Sequence, residues 1–264
     1  MKKFLALWIV FYIQYLFGET IQQPSNQLEL IKTLTQPEIS QIGSILGEKD
    51  SVSITFSHLD LKVGESGIIT RDLGVYEVIV GNAEITKIEG TLATAKVTPP
   101  NQLVQPYLPT PNLKPQEGDK IVFRNFNDKA FLIAPNEETY RAVVEYYSFI
   151  NFVNSDLLMG FLNSRGKHDP TTKTLPQACN EYGVGLVFIV GSESIGVLNC
   201  QNVAIIQKYH LTPINKSSIQ APFYTRAKFD GGGSLTYAFA TKKSREYYKY
   251  YDTFLGDYKE SNKK

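Results

Sequence analysis

The sequence predicts an α+β fold, in which a small β-barrel is followed by a compact α/β unit, a C-terminal β-hairpin and a helical tail. From Ser51 onward, apolar and polar residues alternate with a period of two, and glycines recur between the short runs. This pattern is typical of strands joined by tight turns. At Pro135 the apolar residues become spaced three and four apart, which indicates helices. The abundant aromatic residues, 16 Tyr and 15 Phe, favour strands.

Composition excludes several classes of protein. The 264-residue chain is 42% hydrophobic and 20% charged, so it can form a sizeable core and is not disordered in bulk. The 27 basic and 26 acidic side chains leave no overall positive field for nucleic acid. Two cysteines and three histidines are too few for a structural zinc site. We therefore expect no metal, no cofactor and no nucleic-acid partner.

The first residues have the layout of a secretory signal. Lys2 and Lys3 precede the apolar stretch Phe4–Phe17, and Gly18 follows it. That stretch is shorter than the roughly 20 residues that cross a bilayer. We predict a signal peptide at 1–18 that is cleaved and leaves no membrane-inserted segment, with retention as an inner-membrane anchor as the alternative. Export then places the chain in the periplasm or on the cell surface of a Gram-negative bacterium.

Residues 19–50 are polar and predict a linker with a possible helix, and residues 51–135 predict the barrel. Before Pro99 the expected strands are 52–56, 68–70, 75–80, 83–88 and 92–97. Asp72-Leu73-Gly74 is typical of a hairpin turn. The proline-rich stretch 99–115 indicates a long extended loop. After it, strands at 120–126 and 131–134 are expected to close an SH3-like barrel.

Residues 136–210 predict the α/β unit. Glu137 and Glu138 would lie in the first turn of one helix, where their negative charge interacts favourably with the helix dipole. Asn154 can cap a second helix. A third short helix is expected over 174–182. The continuous apolar run 185–190 then suits a buried strand.

Residues 211–264 predict a β-hairpin and a tail rich in Tyr and Lys. Strands at 223–229 and 234–240 flank the glycines 231–233, which are typical of a loose hairpin turn. From Lys242 the tail has helical propensity and more basic than acidic side chains. The simplest interpretation is an amphipathic helix with packed tyrosines and solvated lysines.

Cys179 and Cys200 are predicted to form a disulfide. In an oxidising compartment, two cysteines in one chain most simply pair with each other. They flank a segment with a strand–turn–strand pattern, 185–190 and 195–199, which could bring them together. A reactive thiol pair is the alternative, although the CxxC spacing of such pairs is missing.

No constellation of residues points to catalysis. Gly183-Val184-Gly185 precedes a strand, whereas a dinucleotide-binding loop follows one. Gly64-Glu65-Ser66-Gly67 lacks the spacing of a nucleophile elbow, and no pattern places His58 near Ser66. Lys167, His168 and Asp169 could form an exposed loop site, but solvated or satisfied imidazoles are the default interpretation.

Several stretches of the chain form a recognisable series when taken in order, namely 64–69, 107–109, 118–122, 130–136, 156–158 and 179–200. Together they resemble the N-terminal domain of the plasminogen-binding protein PgbA family, over roughly residues 50–208. The resemblance implies an exported, non-catalytic envelope protein that captures host plasminogen through lysines. Longer members carry an extended lysine-rich C-terminal region, whereas here a short Tyr/Lys tail follows.

The lysines of the tail are therefore the expected partner-binding residues, namely Lys259, Lys263 and Lys264. A C-terminal lysine carries an ammonium group and a carboxylate at a short fixed span, which lysine-binding kringle domains capture at both ends. The alternative function is a periplasmic scaffold. The barrel-plus-α/β composition is similar, in architecture alone, to periplasmic flagellar-motor accessory proteins such as the FlgT family.

Overall fold

A computed structural model describes residues 24–47, 52–100, 112–210, 218–227 and 243–257. The chain divides into two units, Met1–Leu34 and Thr35–Lys264. In the first unit, helix α1 spans Pro24–Leu34, within the segment where the sequence suggested a possible helix. The predicted signal peptide at 1–18 lies outside the described residues, as do most of the proline-rich loop and the glycines 231–233.

The second unit contains a curled antiparallel sheet, for which the described residues supply seven strands. They are β1 Glu38–Gln41, β2 Ser44–Leu46, β3 Ser53–Ser57, β4 Ser66–Asp72, β5 Glu77–Glu89, β6 Leu92–Thr98 and β7 Lys120–Phe123. Their order across the sheet is β1-β7-β4-β5-β6-β3-β2.

The two outermost strands of this sheet, β1 and β2, are consecutive in the sequence. Only Ile42 and Gly43 separate them, and the backbone N–H groups of these two residues donate to carbonyls in or beside different strands. The Ile42 N–H donates to the carbonyl of Asp119 beside β7, at 2.9 Å, whereas the Gly43 N–H donates to the carbonyl of Thr55 in β3, at 2.8 Å. The sheet is therefore barrel-like, as the sequence predicted, but the SH3-like detail is not confirmed.

The barrel core is formed by the inward-facing residues of these strands. Ile54, Phe56 and Phe123 are almost fully buried, and the rings of Phe56 and Phe123 stack with centroids 5.2 Å apart. A Cβ atom on Gly67 would lie 2.9 Å from the Phe123 ring. A side chain at position 67 would therefore displace the ring that fills the barrel.

The second sheet has five strands within the described part of the chain. They are β8 Lys129–Ile133, β9 Asn151–Val153, β10 Leu186–Val190, β11 Ser194–Asn199 and β12 Ile205–His210. The order is β12-β11-β10-β8-β9, with β8 parallel to both β9 and β10.

This topology corrects the sequence prediction that the strand at 131–134 closes the barrel. The strand pairs instead with β10, where Phe131 lies opposite Val187 and Ile133 opposite Ile189. The physical reason is visible in its composition, because an uninterrupted apolar run suits a central parallel strand that is buried on both faces. The domain limits 51–135, 136–210 and 211–264 stay predictions.

Helices pack on the second sheet. The first three begin where the sequence predicted, whereas the last begins at Tyr247, within the tail predicted as helical from Lys242. They are α2 Glu137–Tyr146, α3 Ser155–Ser164, α4 Thr174–Tyr182 and α5 Tyr247–Leu255. The Asn136 side chain accepts from the Thr139 N–H at 2.9 Å, and the Asn154 side chain accepts from the Asp156 N–H at 3.0 Å. Both are N-caps, which satisfy N–H groups that the first turn of a helix leaves unpaired.

Two further expectations need correction. Strands β1 and β2 lie inside 19–50, which was predicted as a linker, because they are short, partly polar and gave no clear alternation. Of the strand predicted at 223–229, residues 223–227 are described and contain no strand. The helical tail predicted from Lys242 is confirmed by α5.

Candidate functional site

The predicted disulfide between Cys179 and Cys200 is present in the structure. The two Cα atoms are 5.9 Å apart, and both residues are fully buried. Cys179 lies in α4, and Cys200 directly follows β11. The prediction of a cystine in place of a free thiol pair is therefore confirmed.

The local backbone explains why these cysteines meet. Helix α4 ends at Tyr182, and the left-handed φ of 60° at the following Gly183 lets the Val184 N–H donate to the Cys179 carbonyl at 3.0 Å. The chain then enters the β10–β11 hairpin, which returns at Cys200. The Cys200 N–H donates to the Gly185 carbonyl at 2.9 Å, so the hairpin closes beside the end of the helix.

Helix α5, in the Tyr-rich tail, forms part of the core around the second sheet. Tyr247 is 2% exposed, and its hydroxyl donates to the carbonyls of Ile133 and Val190, at 3.1 and 2.9 Å. These carbonyls mark the carboxyl ends of the parallel strands β8 and β10. Burial raises the pKa of the Tyr247 phenol well above its ordinary value, so the hydroxyl remains a donor.

Asp252 and Asp257 attach the C-terminal part of α5 to the same sheet. The Asp252 carboxylate accepts from the backbone N–H and the hydroxyl of Ser192, at 2.9 and 2.8 Å. Asp257 accepts from the Ser194 hydroxyl at 2.6 Å and from the ammonium of Lys208. Burial would raise the pKa of Asp257, but these hydrogen bonds outweigh it and lower the pKa. Asp257 is the last described residue, so Lys259, Lys263 and Lys264 lie outside the described part.

The loop with His168 and Asp169 is not the exposed site that the sequence suggested. Their side chains are 9% and 11% exposed, and the His168 Nδ1 lies 3.0 Å from an Asp169 carboxylate oxygen. Asp169 also accepts from the backbone and hydroxyl of Ser244, and the neighbouring Pro170 carbonyl accepts from Tyr250 at 2.5 Å. The loop thus holds α5 and the residues before it in place. Sequence reasoning missed this role because Ser244 and Tyr250 are far from the loop in the sequence.

A buried ion pair lies where the barrel meets the second sheet, and sequence reasoning missed it. The side chains of Glu65 and Arg124 are 1% and 2% exposed, with Nε–Oε2 and Nη2–Oε1 distances of 2.7 and 3.0 Å. Asp60 also accepts from Arg124, at 2.9 Å. Arg124 has a φ of 60° in the turn that leaves β7 for β8. Burial opposes the charge on Arg124, but Glu65 and Asp60 raise its pKa.

Polar side chains continue this junction between the two sheets. The Ser66 hydroxyl donates to the Asn199 side-chain oxygen at 2.9 Å, and the Asn202 side chain donates to the Gly64 carbonyl at 3.0 Å. The Lys62 ammonium donates to the Gln207 side chain at 2.7 Å. Ser66 is therefore engaged in a structural contact at this junction.

Neither a cluster of metal ligands nor a membrane-spanning helix is present in the described part of the chain. No three or more His, Cys, Asp or Glu side chains among these residues are grouped so that they could hold a metal ion. No helix with a described position is long and apolar enough to cross a membrane.

The fold and its junctions define a disulfide-bonded α+β protein with a barrel-like sheet and a mixed sheet in one unit. Its sequence matches the family described as "Plasminogen-binding protein pgbA N-terminal" over residues 40–255, and the chain belongs to that family. It is 37% identical over 202 residues to the plasminogen-binding protein PgbA of two Helicobacter pylori strains, J99 and 26695. The alignment covers 76% of this chain and 44% of each relative. No solved structure matches the chain.

Proposed function

We propose that this chain is a non-catalytic, exported protein of the bacterial envelope that binds plasminogen. The observation that carries the proposal is membership of the PgbA N-terminal family, together with 37% identity to relatives named for plasminogen binding. The disulfide supports export, because cystines form and persist in oxidising compartments outside the cytoplasm.

Three largely buried acidic side chains have structural contacts, which accords with a non-catalytic protein. Glu65 is paired with Arg124, Asp252 accepts from Ser192, and Asp169 accepts from Ser244. Each of these carboxylates connects one part of the fold to another. Catalytic acids, by contrast, are directed at a cleft where a substrate can reach them.

We propose that the tail lysines Lys259, Lys263 and Lys264 provide the contact with plasminogen. Kringle domains bind lysine through charged centres separated by an aromatic trough, which receives the aliphatic stem. The proposal makes no use of the buried faces of α5, because Tyr247 and Tyr251 are already packed in the core.

The experiment measures binding of the full chain to immobilised plasminogen. The triple variant K259Q/K263Q/K264Q is compared with K87Q/K96Q/K167Q, which removes three exposed lysines from the folded body and changes the net charge equally. Loss of binding in the tail variant alone supports lysine capture, as does competition by ε-aminocaproic acid. Equal binding by both variants contradicts the tail mechanism, and no binding by the unmodified chain contradicts the proposed function.

Location is tested separately by cell fractionation with protease treatment of intact cells. Sensitivity to added protease supports a surface protein that can reach a host ligand. Release of the protein only with the periplasmic fraction would instead support the alternative, a periplasmic scaffold such as an accessory protein of the flagellar motor.

A further inference from the structure

The turn between β4 and β5 exposes apolar side chains at the tip of the hairpin. Leu73 is 43% exposed, Val75 91% and Tyr76 62%. The predicted turn is present, with a φ of 85° at Gly74 and a hydrogen bond of 2.7 Å from its N–H to the Asp72 carboxylate. Single exposed apolar residues are ordinary, whereas neighbouring ones at one turn form an apolar patch that a partner could cover.

Val75 and Tyr76 also line an open groove of about 640 Å³. Its other side is formed by the loop 116–120, and β1 contributes Gln41 at one end. A volume of this size accommodates several side chains of a bound segment. The groove therefore joins an exposed aromatic ring to a surface that can hold a ligand.

An ion pair fixes the floor of the groove. The Arg71 guanidinium donates to both carboxylate oxygens of Asp119, each at 2.8 Å, and also to the Lys114 carbonyl at 2.7 Å. Asp119 in turn accepts from the Gln116 N–H at 2.8 Å. The loop is thereby held against β4 before any ligand arrives, which reduces the entropic cost of binding.

The charges of the groove favour a cationic ligand. The positive charge of Arg71 is neutralised by its ion pair with Asp119, and that of Lys120 by its ion pair with Glu77. Asp72 and Glu117 are exposed, and within the described ranges neither has a cationic side chain in ion-pair contact. Two uncompensated carboxylates thus line the same groove as Tyr76, whose ring can itself attract a cation.

We propose that this groove binds a basic segment of a partner protein, with lysine or arginine side chains directed at Asp72 and Glu117 and an aliphatic stem packed on Tyr76. Complementary charge at the rim guides and orients such a partner. The same carboxylates repel an anionic lipid surface. The proposal is independent of plasminogen capture, since it involves none of the tail lysines.

The test uses the full chain and a fluorescent, amidated peptide of alternating lysine and leucine. Fluorescence anisotropy should show binding that weakens as salt is added, because exposed charge pairs are screened. A matched peptide with glutamate in place of lysine should not bind. Equal binding of the two peptides overturns the proposal.

Variants locate the peptide on the protein. D72N/E117Q should weaken peptide binding by about tenfold, as two rim charges are lost. The amide oxygen that D72N introduces would still accept from the Gly74 N–H, so the turn is kept. The control E138Q/E145Q removes two exposed acids from α2 and should bind as the unmodified chain does. Equal affinities of the two double variants overturn the proposal.

Two further variants test whether the peptide occupies this groove and not the tail. Y76L keeps an apolar side chain but removes the aromatic face, and it should bind the peptide more weakly while retaining the circular dichroism of the unmodified chain. The tail variant K259Q/K263Q/K264Q should bind the peptide normally even where plasminogen capture is lost. Loss of peptide binding in the tail variant, or full binding by Y76L, overturns the assignment to this groove.

Discussion

The two sheets of the second unit are assembled in opposite ways. In the barrel, β4, β5 and β6 follow one another in sequence and pair as antiparallel neighbours. In the second sheet, the central strands β8 and β10 are parallel, and the chain passes through α2, α3 and α4 between them. A parallel pair needs such a crossover, since a short turn cannot connect its ends.

The second sheet, in which strands far apart in the sequence pair with each other, is also held by links beyond the pairing of its strands. The Cys179–Cys200 disulfide joins the crossover to β11, and Tyr247 joins α5 to the ends of β8 and β10. The barrel strands within the described residues contain neither. The comparison teaches that the two sheets fix their distant segments by different links. The second sheet uses a disulfide and a buried tyrosine hydroxyl, whereas the barrel connects the residues at the two ends of β7 to β4 and its preceding residue through the ion pairs Arg71–Asp119 and Glu65–Arg124.

The largest effect is expected from breaking the buried ion pair between Glu65 and Arg124. Glu65→Ala leaves Arg124 buried with only Asp60 as an acidic partner, and should lower the free energy of unfolding by about 3–5 kcal/mol. Urea denaturation measures the loss. The control Glu181→Gln removes half of the exposed Arg165–Glu181 pair and should cost less than about 1 kcal/mol. Equal losses would contradict the prediction that burial makes the Glu65–Arg124 pair costly to break.

Removing the disulfide should destabilise the second sheet more than the barrel, because both cysteines lie beside the second sheet. Replacing both Cys179 and Cys200 with alanine releases a loop with a sequence separation of 21, which should cost about 3 kcal/mol in chain entropy. Hydrogen exchange followed by mass spectrometry should show the loss of protection first in β10 and β11. An equal loss in β5 and β6 would contradict the independence of the barrel.

A smaller effect is expected from removing the Tyr247 hydroxyl, which donates to carbonyls at the ends of the parallel strands β8 and β10. Tyr247→Phe keeps the ring but leaves the carbonyls of Ile133 and Val190 without their donor, which should cost about 1–2 kcal/mol. Tyr76→Phe, at the exposed hairpin tip, is the matched change. Thermal unfolding of the two variants gives the difference, and equal melting temperatures would exclude a role for the Tyr247 hydroxyl.

Alkaline pH is expected to lower the stability of the second sheet, whereas changes of pH near neutrality should not affect it through these tyrosines. Burial raises the pKa of Tyr209 and of Tyr250 to about 12, against an ordinary value of 10.0. A phenol with a raised pKa stabilises the fold below pH 10, and this contribution is lost as the pH rises toward about 12. Tyrosinate absorbance and circular dichroism recorded together measure both events. Complete ionisation with an unchanged fold would contradict the prediction.

The sequence predicted those features that depend on neighbouring residues. Asn136 and Asn154 cap helices because each lies two or three residues before the N–H that it satisfies. The turn at Asp72-Leu73-Gly74 and the α4 helix depend equally on local chemistry. The cysteine pairing could be predicted as well, because a chain with two cysteines allows one intramolecular pairing.

Features that depend on distant partners could not be predicted. Asp169 binds Ser244, and Arg124 binds Glu65, and no spacing rule connects residues so far apart in a single sequence. The strand β8 was identified, but its partner β10 was not, because an apolar run indicates burial without indicating which strand lies beside it. The groove at Tyr76 was missed for the same reason, since its second side comes from the loop 116–120.

The short break at Ile42 and Gly43 has a consequence for solubility. An open sheet presents unpaired N–H and carbonyl groups along its outer strands, which can recruit strands from other molecules and begin aggregation. Here the two outer strands belong to one stretch, 38–46. In the order of strands across the sheet, β1 is at one end and β2 is at the other. By bonding to Asp119 on one side and to Thr55 on the other, the stretch occupies groups that a second molecule would otherwise use. The break at these two residues also keeps the edge strands β1 and β2 to four and three residues, a length that offers a second molecule little to pair with.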